Sequence, residues 1–138
     1  MELVVASLLD LDKVADCVLS TNFKHITFTG EMGSGKTTLI QVISKKLNVK
    51  DDVTSPTYSL VNEYQTNSNN IIYHFDLFRV KTFQELQNIG VEHYLQSNAY
   101  CMIEWPELIN DLLDTHLKVN FVVNNNERII SLNKIYFG

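Results

Sequence analysis

Arginine is scarce: Arg79 and Arg128 are the only two in 138 residues. Kinases that join two polyanionic substrates need several cationic clamps, so this scarcity weighs against a small-molecule kinase. It also predicts slow unaided hydrolysis at any phosphate-cleaving site, because an arginine finger is worth about 10³–10⁵ in rate. Cysteine is equally rare. The separation of Cys17 and Cys101 does not exclude a disulfide, but the expected state is two reduced thiols in a cytoplasmic protein. The histidines His25, His74, His93 and His116 lack zinc-ligand spacing. No apolar run approaches the ~20 residues that cross a bilayer, so no membrane association is expected. The first residues also lack the pattern of an export signal. Basic side chains are outnumbered, 11 against 16 acidic, for a net charge of −5. A chain that gripped RNA unaided would carry a basic face. The local cluster Lys45, Lys46 and Lys50 falls at the end of an expected helix, where it complements the dipole.

The rest reads as a single domain over residues 1–138, without repeats or low-complexity tracts. Glu2–Ser7 is an expected strand, and Leu11, Val14, Ala15, Val18 and Leu19 follow helical spacing over about residues 9–20. His25–Thr29 is a strand that ends at Gly30, and Lys36–Leu47 is the next helix. Strands are expected at 58–65 and 71–76 around the turn Thr66–Asn70. Thr82 and Glu85 form a capping box for a short helix that Gly90 can close. Ala99–Glu104 is another strand, and Pro106 is placed to open a helix through about Leu113. Leu117, Val119, Phe121 and Val123 alternate before a turn at Asn124–Glu127, predicting a final hairpin. The interleaving predicts an α/β, three-layer sandwich of the P-loop NTPase type around a mixed, mostly parallel sheet.

Gly30-Glu31-Met32-Gly33-Ser34-Gly35-Lys36-Thr37 fits G-x-x-x-x-G-K-[ST]. Glycines let consecutive N–H groups turn inward as an anion nest, and the following helix adds its positive end. Lys36 is expected to reach the β- and γ-phosphates of ATP or ADP, Thr37 to ligate Mg²⁺, and Thr38 to hold the α-phosphate. The expected nucleotide-binding segment is therefore Gly30 to Thr38. No guanine-reading N-K-x-D tetrapeptide occurs.

Such a site needs an acid at the end of a neighbouring strand. Ile71-Ile72-Tyr73-His74-Phe75-Asp76 and Tyr100-Cys101-Met102-Ile103-Glu104 both end in one. One can hold metal while the other orients the attacking water. Thr54-Ser55-Pro56-Thr57 occupies the place where switch segments sense a γ-phosphate. Arg79 either serves the site or pairs at the surface, and Trp105 is either a packing aromatic or part of the site.

Taken together, Ser55-Pro56-Thr57-Tyr58-Ser59-Leu60-Val61-Asn62-Glu63-Tyr64, His74-Phe75-Asp76-Leu77-Phe78-Arg79 and Ile103-Glu104-Trp105-Pro106-Glu107, in register behind the phosphate loop, resemble the bacterial TsaE (YjeE) family of small ATPases. The resemblance covers roughly residues 8–115. It implies an ATP-hydrolysing accessory subunit in making N6-threonylcarbamoyladenosine at position 37 of tRNAs that read codons beginning with A. It also implies work with a TsaD–TsaB heterodimer, weak activity alone, and contact with tRNA only through those partners. Residue by residue, it implies phosphate and Mg²⁺ roles for Lys36 and Thr37, a metal-ligand role for Glu104 and an essential-acid role for Asp76. Thr57 matches the family's switch-like loop and Trp105 its aromatic after the metal ligand. Phe78 stands where the family commonly has Tyr, and Arg128 is the expected contact to the base. A nucleotide-gated binding module without productive turnover and a small-molecule kinase are the alternative readings.

Overall fold

The first strand, β1 (Glu2–Val5), leads into α1 (Leu8–Ser20), and β2 (His25–Thr29) follows. The computed structural model describes residues 1–54 and 60–136. Leu11, Val14, Ala15 and Val18 recur at helical spacing and are all buried, which is why this stretch packs as α1. At its start the Asp10 carboxylate accepts the N–H groups of Ala6 and Ser7, satisfying donors that no helical carbonyl reaches. Helix α2 (Lys36–Lys46) lies beside α1, with Lys46 bridging to Asp12 and Asp16 at 3.1 and 3.0 Å.

Next come β3 (Val61–Gln65), β4 (Ile71–Asp76), α3 (Phe83–Asn88), α4 (Val91–Leu95), β5 (Tyr100–Glu104), β6 (His116–Asn124) and β7 (Glu127–Ile135). The sheet has seven strands in the order β1-β7-β6-β2-β5-β4-β3. Pairing is parallel through the centre, where β2 lies between β5 and β6 and β4 joins β5. It is antiparallel at both margins, in β1–β7, β6–β7 and β3–β4. One core joins α1 and α2 to Ile26, Phe28, Ile72, Met102 and Val119. A second, holding Leu86 and Val91 of α3 and α4, covers Phe75, Cys101 and Ile103. The expected three layers are present.

This alternation positions the site. Side chains on a strand change face at each residue. Met102 faces the α1–α2 core and Cys101 and Ile103 the other, so Glu104 shares the face of Met102. By the same rule His74 and Asp76 share the face of Ile72. Asp76 and Glu104 are register partners on adjacent parallel strands, and the loop after β2 opens beside them. In open α/β sheets, ligands bind at this carboxyl end of the strands.

Three local expectations change. Gly90, at φ 74°, starts α4 as well as following α3, because Val91 and Leu95, four residues apart, both reach the core. No helix runs from Pro106 to Leu113. The chain makes a turn, with Ile109 N–H donating to Pro106 O, and then a 3₁₀ segment at Asn110–Leu112. This tighter winding buries Ile109 and Leu113 and brings the chain back to β6 within a few residues. Strand β3 starts at Val61; the two residues before Leu60 that were expected in it lie outside the described residues.

Both cysteines are free. Cys101 is fully buried, and burial pushes its thiol up to about 12, so almost no thiolate exists near neutral pH. A maleimide will therefore modify half-buried Cys17 first, and Cys101 only after urea unfolding, as read by peptide mass spectrometry. Equal labelling in the native chain would contradict this packing. Among the described residues no helix is long and apolar enough to cross a membrane.

Candidate functional site

The loop from Gly30 to Gly35 turns back on itself through positive φ angles of 145°, 77° and 107° at Gly30, Gly33 and Gly35. Gly30 has a second constraint. A Cβ there would lie 2.8 Å from Phe121 Cβ and 2.9 Å from the Phe121 carbonyl oxygen, whereas one on Gly33 would meet nothing within 4 Å. Gly30→Ala should therefore cost about 3 kcal/mol or more of stability through overlap and strain. Gly33→Ala should cost only the left-handed penalty of about 1–2 kcal/mol. Urea denaturation of the two variants checks the ranking; equal losses would sink it.

Lys36 opens α2, yet its side chain curls over the loop and is 95% buried, leaving 5% exposed. Its ammonium donates to Gly30 O at 2.6 Å and Glu31 O at 3.1 Å and sits 4.0 Å from the centre of the Trp105 ring. Burial lowers its pKa, and the carboxylates of Glu104 and Asp76 oppose that shift. Trp105 itself has φ 57°, a left-handed conformation that is rare for a bulky residue. The turn lets the indole follow directly on Glu104 and still lie beside Lys36; the Phe78 ring packs against it, tilted, at 4.9 Å between ring centres.

Thr37 Oγ1 donates to the Glu104 carboxylate, at 3.0 and 3.1 Å from its two oxygens. Glu104 is buried and also receives a hydrogen bond from His74 Nε2 at 2.8 Å. Asp76 accepts the Phe78 N–H at 3.1 Å. Its pKa is raised, first by burial and further by Glu104, while the Phe78 N–H, His74 and Lys36 pull the other way.

Residues 32–38 together with Asp76, Phe78, Glu104 and Trp105 line one cleft of ≈ 290 Å³. A second cavity of ≈ 290 Å³ shares Ser34, Gly35 and Thr38 with it but is walled by Val5, Leu11, Phe121 and Arg128. Arg128 Nε donates to Ser34 O at 3.2 Å, fixing the guanidinium beside the loop. Ser34 Oγ is buried and has no hydrogen-bond partner among the described residues, a cost that an anion seated in the loop would remove.

Most of the residues singled out from sequence thus meet in one place. Gly30 and Glu31 contribute carbonyls to Lys36 rather than lining the cleft. Arg79 is exposed and lies outside the residues lining either cavity. Thr57 lies outside the described residues, as do Ser55, Pro56, Tyr58 and Ser59. Sequence reasoning missed His74, Tyr64, Phe121 and the apolar wall at Val5 and Leu11. The signal for His74 was its even spacing from Asp76 on a strand whose other even-numbered position, Ile72, faces the core.

A hydroxyl and a carboxylate that already share a hydrogen are hard oxygen donors suited to Mg²⁺. Among the described residues no group of three or more His, Cys, Asp or Glu is arranged to hold a metal ion. Further ligands would thus come from water and phosphate, the usual habit of Mg²⁺ at nucleotide sites.

Comparison with known proteins finds a family and a shared fold. The family model described as "Threonylcarbamoyl adenosine biosynthesis protein TsaE" matches residues 5–130. The Haemophilus influenzae "tRNA threonylcarbamoyladenosine biosynthesis protein TsaE" is 35% identical over 108 residues, which are 78% of this chain and 68% of that protein. Its Rickettsia prowazekii namesake is 37% identical over 115 residues, 81% of this chain and 78% of that one. The crystal structure of Bacillus subtilis YdiB superposes with a TM-score of 0.77 over 98% of this chain and 85% of that chain. At 20% identity it shows the shared fold.

Proposed function

The chain belongs to the TsaE family, and on that premise we propose that it is a Mg²⁺-dependent P-loop ATPase serving tRNA threonylcarbamoyladenosine biosynthesis as an accessory subunit of a TsaD–TsaB transferase. The observation that carries the reading is the meeting of Lys36, Thr37, Asp76 and Glu104 at the carboxyl ends of β2, β4 and β5.

In this reading the phosphate chain lies along residues 30–38. The Lys36 ammonium leaves the carbonyls of Gly30 and Glu31 for the β- and γ-phosphates, and Thr38 faces the α-phosphate. Thr37 and Glu104 would hold Mg²⁺, which would supply charge neutralisation at the phosphates. Asp76, whose raised pKa marks a carboxylate short of solvent, orients the attacking water. Trp105 and Phe78 close one side of the cleft against bulk water. The base enters the second cavity against Phe121, Val5 and Leu11, with Arg128 at its rim. Thr57 senses the γ-phosphate.

No arginine lines the phosphate cleft, so hydrolysis by the isolated chain is slow, and a partner supplies the missing stabilisation. The net charge of −5 supports leaving the tRNA backbone to the partners. The test is ATP turnover by the purified chain with and without TsaD–TsaB. Partner-stimulated turnover that Lys36→Ala removes is expected; turnover indifferent to the partners would refute the accessory role.

A further inference from the structure

A line of hydrogen bonds, buried at its centre, runs from Glu104 in the phosphate cleft to the backbone at Thr54. Glu104 accepts from Thr37 on one side and from His74 Nε2 on the other. The opposite ring nitrogen, His74 Nδ1, lies 3.0 Å from the Tyr64 hydroxyl. That hydroxyl in turn lies 2.8 Å from Thr54 O and 3.3 Å from Thr54 N, while Asn62 Nδ2 reaches both Thr54 O and the hydroxyl. His74 is fully buried and Tyr64 is 3% exposed, so the two contacts of the His74 ring are shielded from water, whereas those at Thr54 lie nearer the surface.

The chemistry orders the protons. A carboxylate accepts and does not donate, so the hydrogen between Glu104 and His74 belongs to Nε2. A neutral ring then offers Nδ1 as an acceptor, and the Tyr64 O–H is its donor. That hydroxyl has one proton and two acceptors in reach, Nδ1 at 3.0 Å and Thr54 O at 2.8 Å. It cannot serve both at once, so the line has two arrangements. A shift of Glu104 that loosens its hold on Nε2 frees the Tyr64 proton for Thr54.

We propose that His74 and Tyr64 are positioning residues that couple the seat of Glu104 to the backbone at Thr54, so that a loaded cation–phosphate site and the Thr54 peptide set each other's arrangement. The proposal rests on the nucleotide reading above and extends it to two residues outside the cleft. An ordinary buried histidine is satisfied by any two partners. Here one partner is the candidate metal ligand, and the other holds both backbone polar groups of Thr54.

The experiment uses the full chain, a non-hydrolysable ATP analogue and ADP, each with Mg²⁺ and with EDTA. Trp105, the single tryptophan, reports binding by fluorescence. His74→Gln keeps a donor for Glu104 but loses the reach to Tyr64, and Tyr64→Phe removes only the hydroxyl. Loss of such an outer partner typically weakens metal-dependent binding by about 10–100-fold. His74→Gln should show a rise of that order in the Mg²⁺ needed for half-saturation and Tyr64→Phe a smaller one, with binding in EDTA within about twofold of the unsubstituted chain. Hydrogen exchange at Thr54 and Asn62 should differ between the two nucleotide states in the unsubstituted chain and not in Tyr64→Phe. If both variants only melt earlier and keep the unsubstituted Mg²⁺ requirement, the residues are plain packing and the proposal is overturned. Unsubstituted chain whose Thr54 exchange ignores the nucleotide state overturns it without any variant. Absence of nucleotide binding in every arm would instead remove the nucleotide reading itself.

Discussion

Lys36→Ala will lower ATP turnover about 10²–10³-fold, the usual cost of removing one preorganised charge donor from a reacting centre, while the fold survives. The two halves of this expectation have one cause. Lys36 is 5% exposed, and burial already lowers its pKa, so its ammonium is held in a place that does not favour a cation. Two carbonyls and an indole face partly offset that burial in the free chain. A polyphosphate would do so far better, and the gain appears only in the bound and reacting states. Removing the side chain thus costs nothing that the core depends on. Circular dichroism and urea unfolding should be near those of the unsubstituted chain, whereas kcat and nucleotide affinity should fall together. A variant that is folded and fully active would show that the ammonium takes no part in turnover.

Glu104→Gln is the second large effect, and it differs in kind. The amide keeps the shape but loses the charge that Thr37, His74 and a divalent cation address together. Turnover should fall about 10²–10³-fold, with the loss concentrated in Mg²⁺-dependent binding and ADP affinity in EDTA little changed. Stability should also fall, by about 1–3 kcal/mol, because hydrogen bonds to a buried ionised group exceed those to an amide. That joint signature separates Glu104 from Asp76. Asp76 is half-buried with a raised pKa, so Asp76→Asn removes an unfavourable charge and should leave stability equal or higher while activity drops. An Asp76→Asn chain as destabilised as Glu104→Gln would reverse this assignment of roles.

The reach of the sequence followed the range of the forces involved. The loop was legible because glycine spacing and a following lysine are local requirements of one turn. Asp76 and Glu104 were legible because each ends an apolar run, and the parallel pairing of β4 and β5 then made them neighbours. The β6–β7 hairpin followed from the alternation of Leu117, Val119 and Phe121. His74 and Tyr64 were not legible. Their meeting depends on the antiparallel register that pairs Tyr64 with Ile72 and Asn62 with His74, and on β5 lying next to β4. The same holds for the second cavity, where β1 and β7 must pair before Val5 and Arg128 face each other. The helix expected from Pro106 failed for a reason of tertiary packing. Ile109 and Leu113 are both buried, and tight turns satisfy that while returning the chain to β6.

The central claim is that backbone amides and one buried ammonium hold a polyphosphate in this chain. Isothermal titration of ATP into the purified protein, with Mg²⁺ and with Lys36→Ala in parallel, addresses it most directly. The predicted result is saturable binding of one nucleotide per chain, strengthened by Mg²⁺ and lost in the variant. A flat thermogram for both ATP and ADP, from protein shown to be folded, would contradict it.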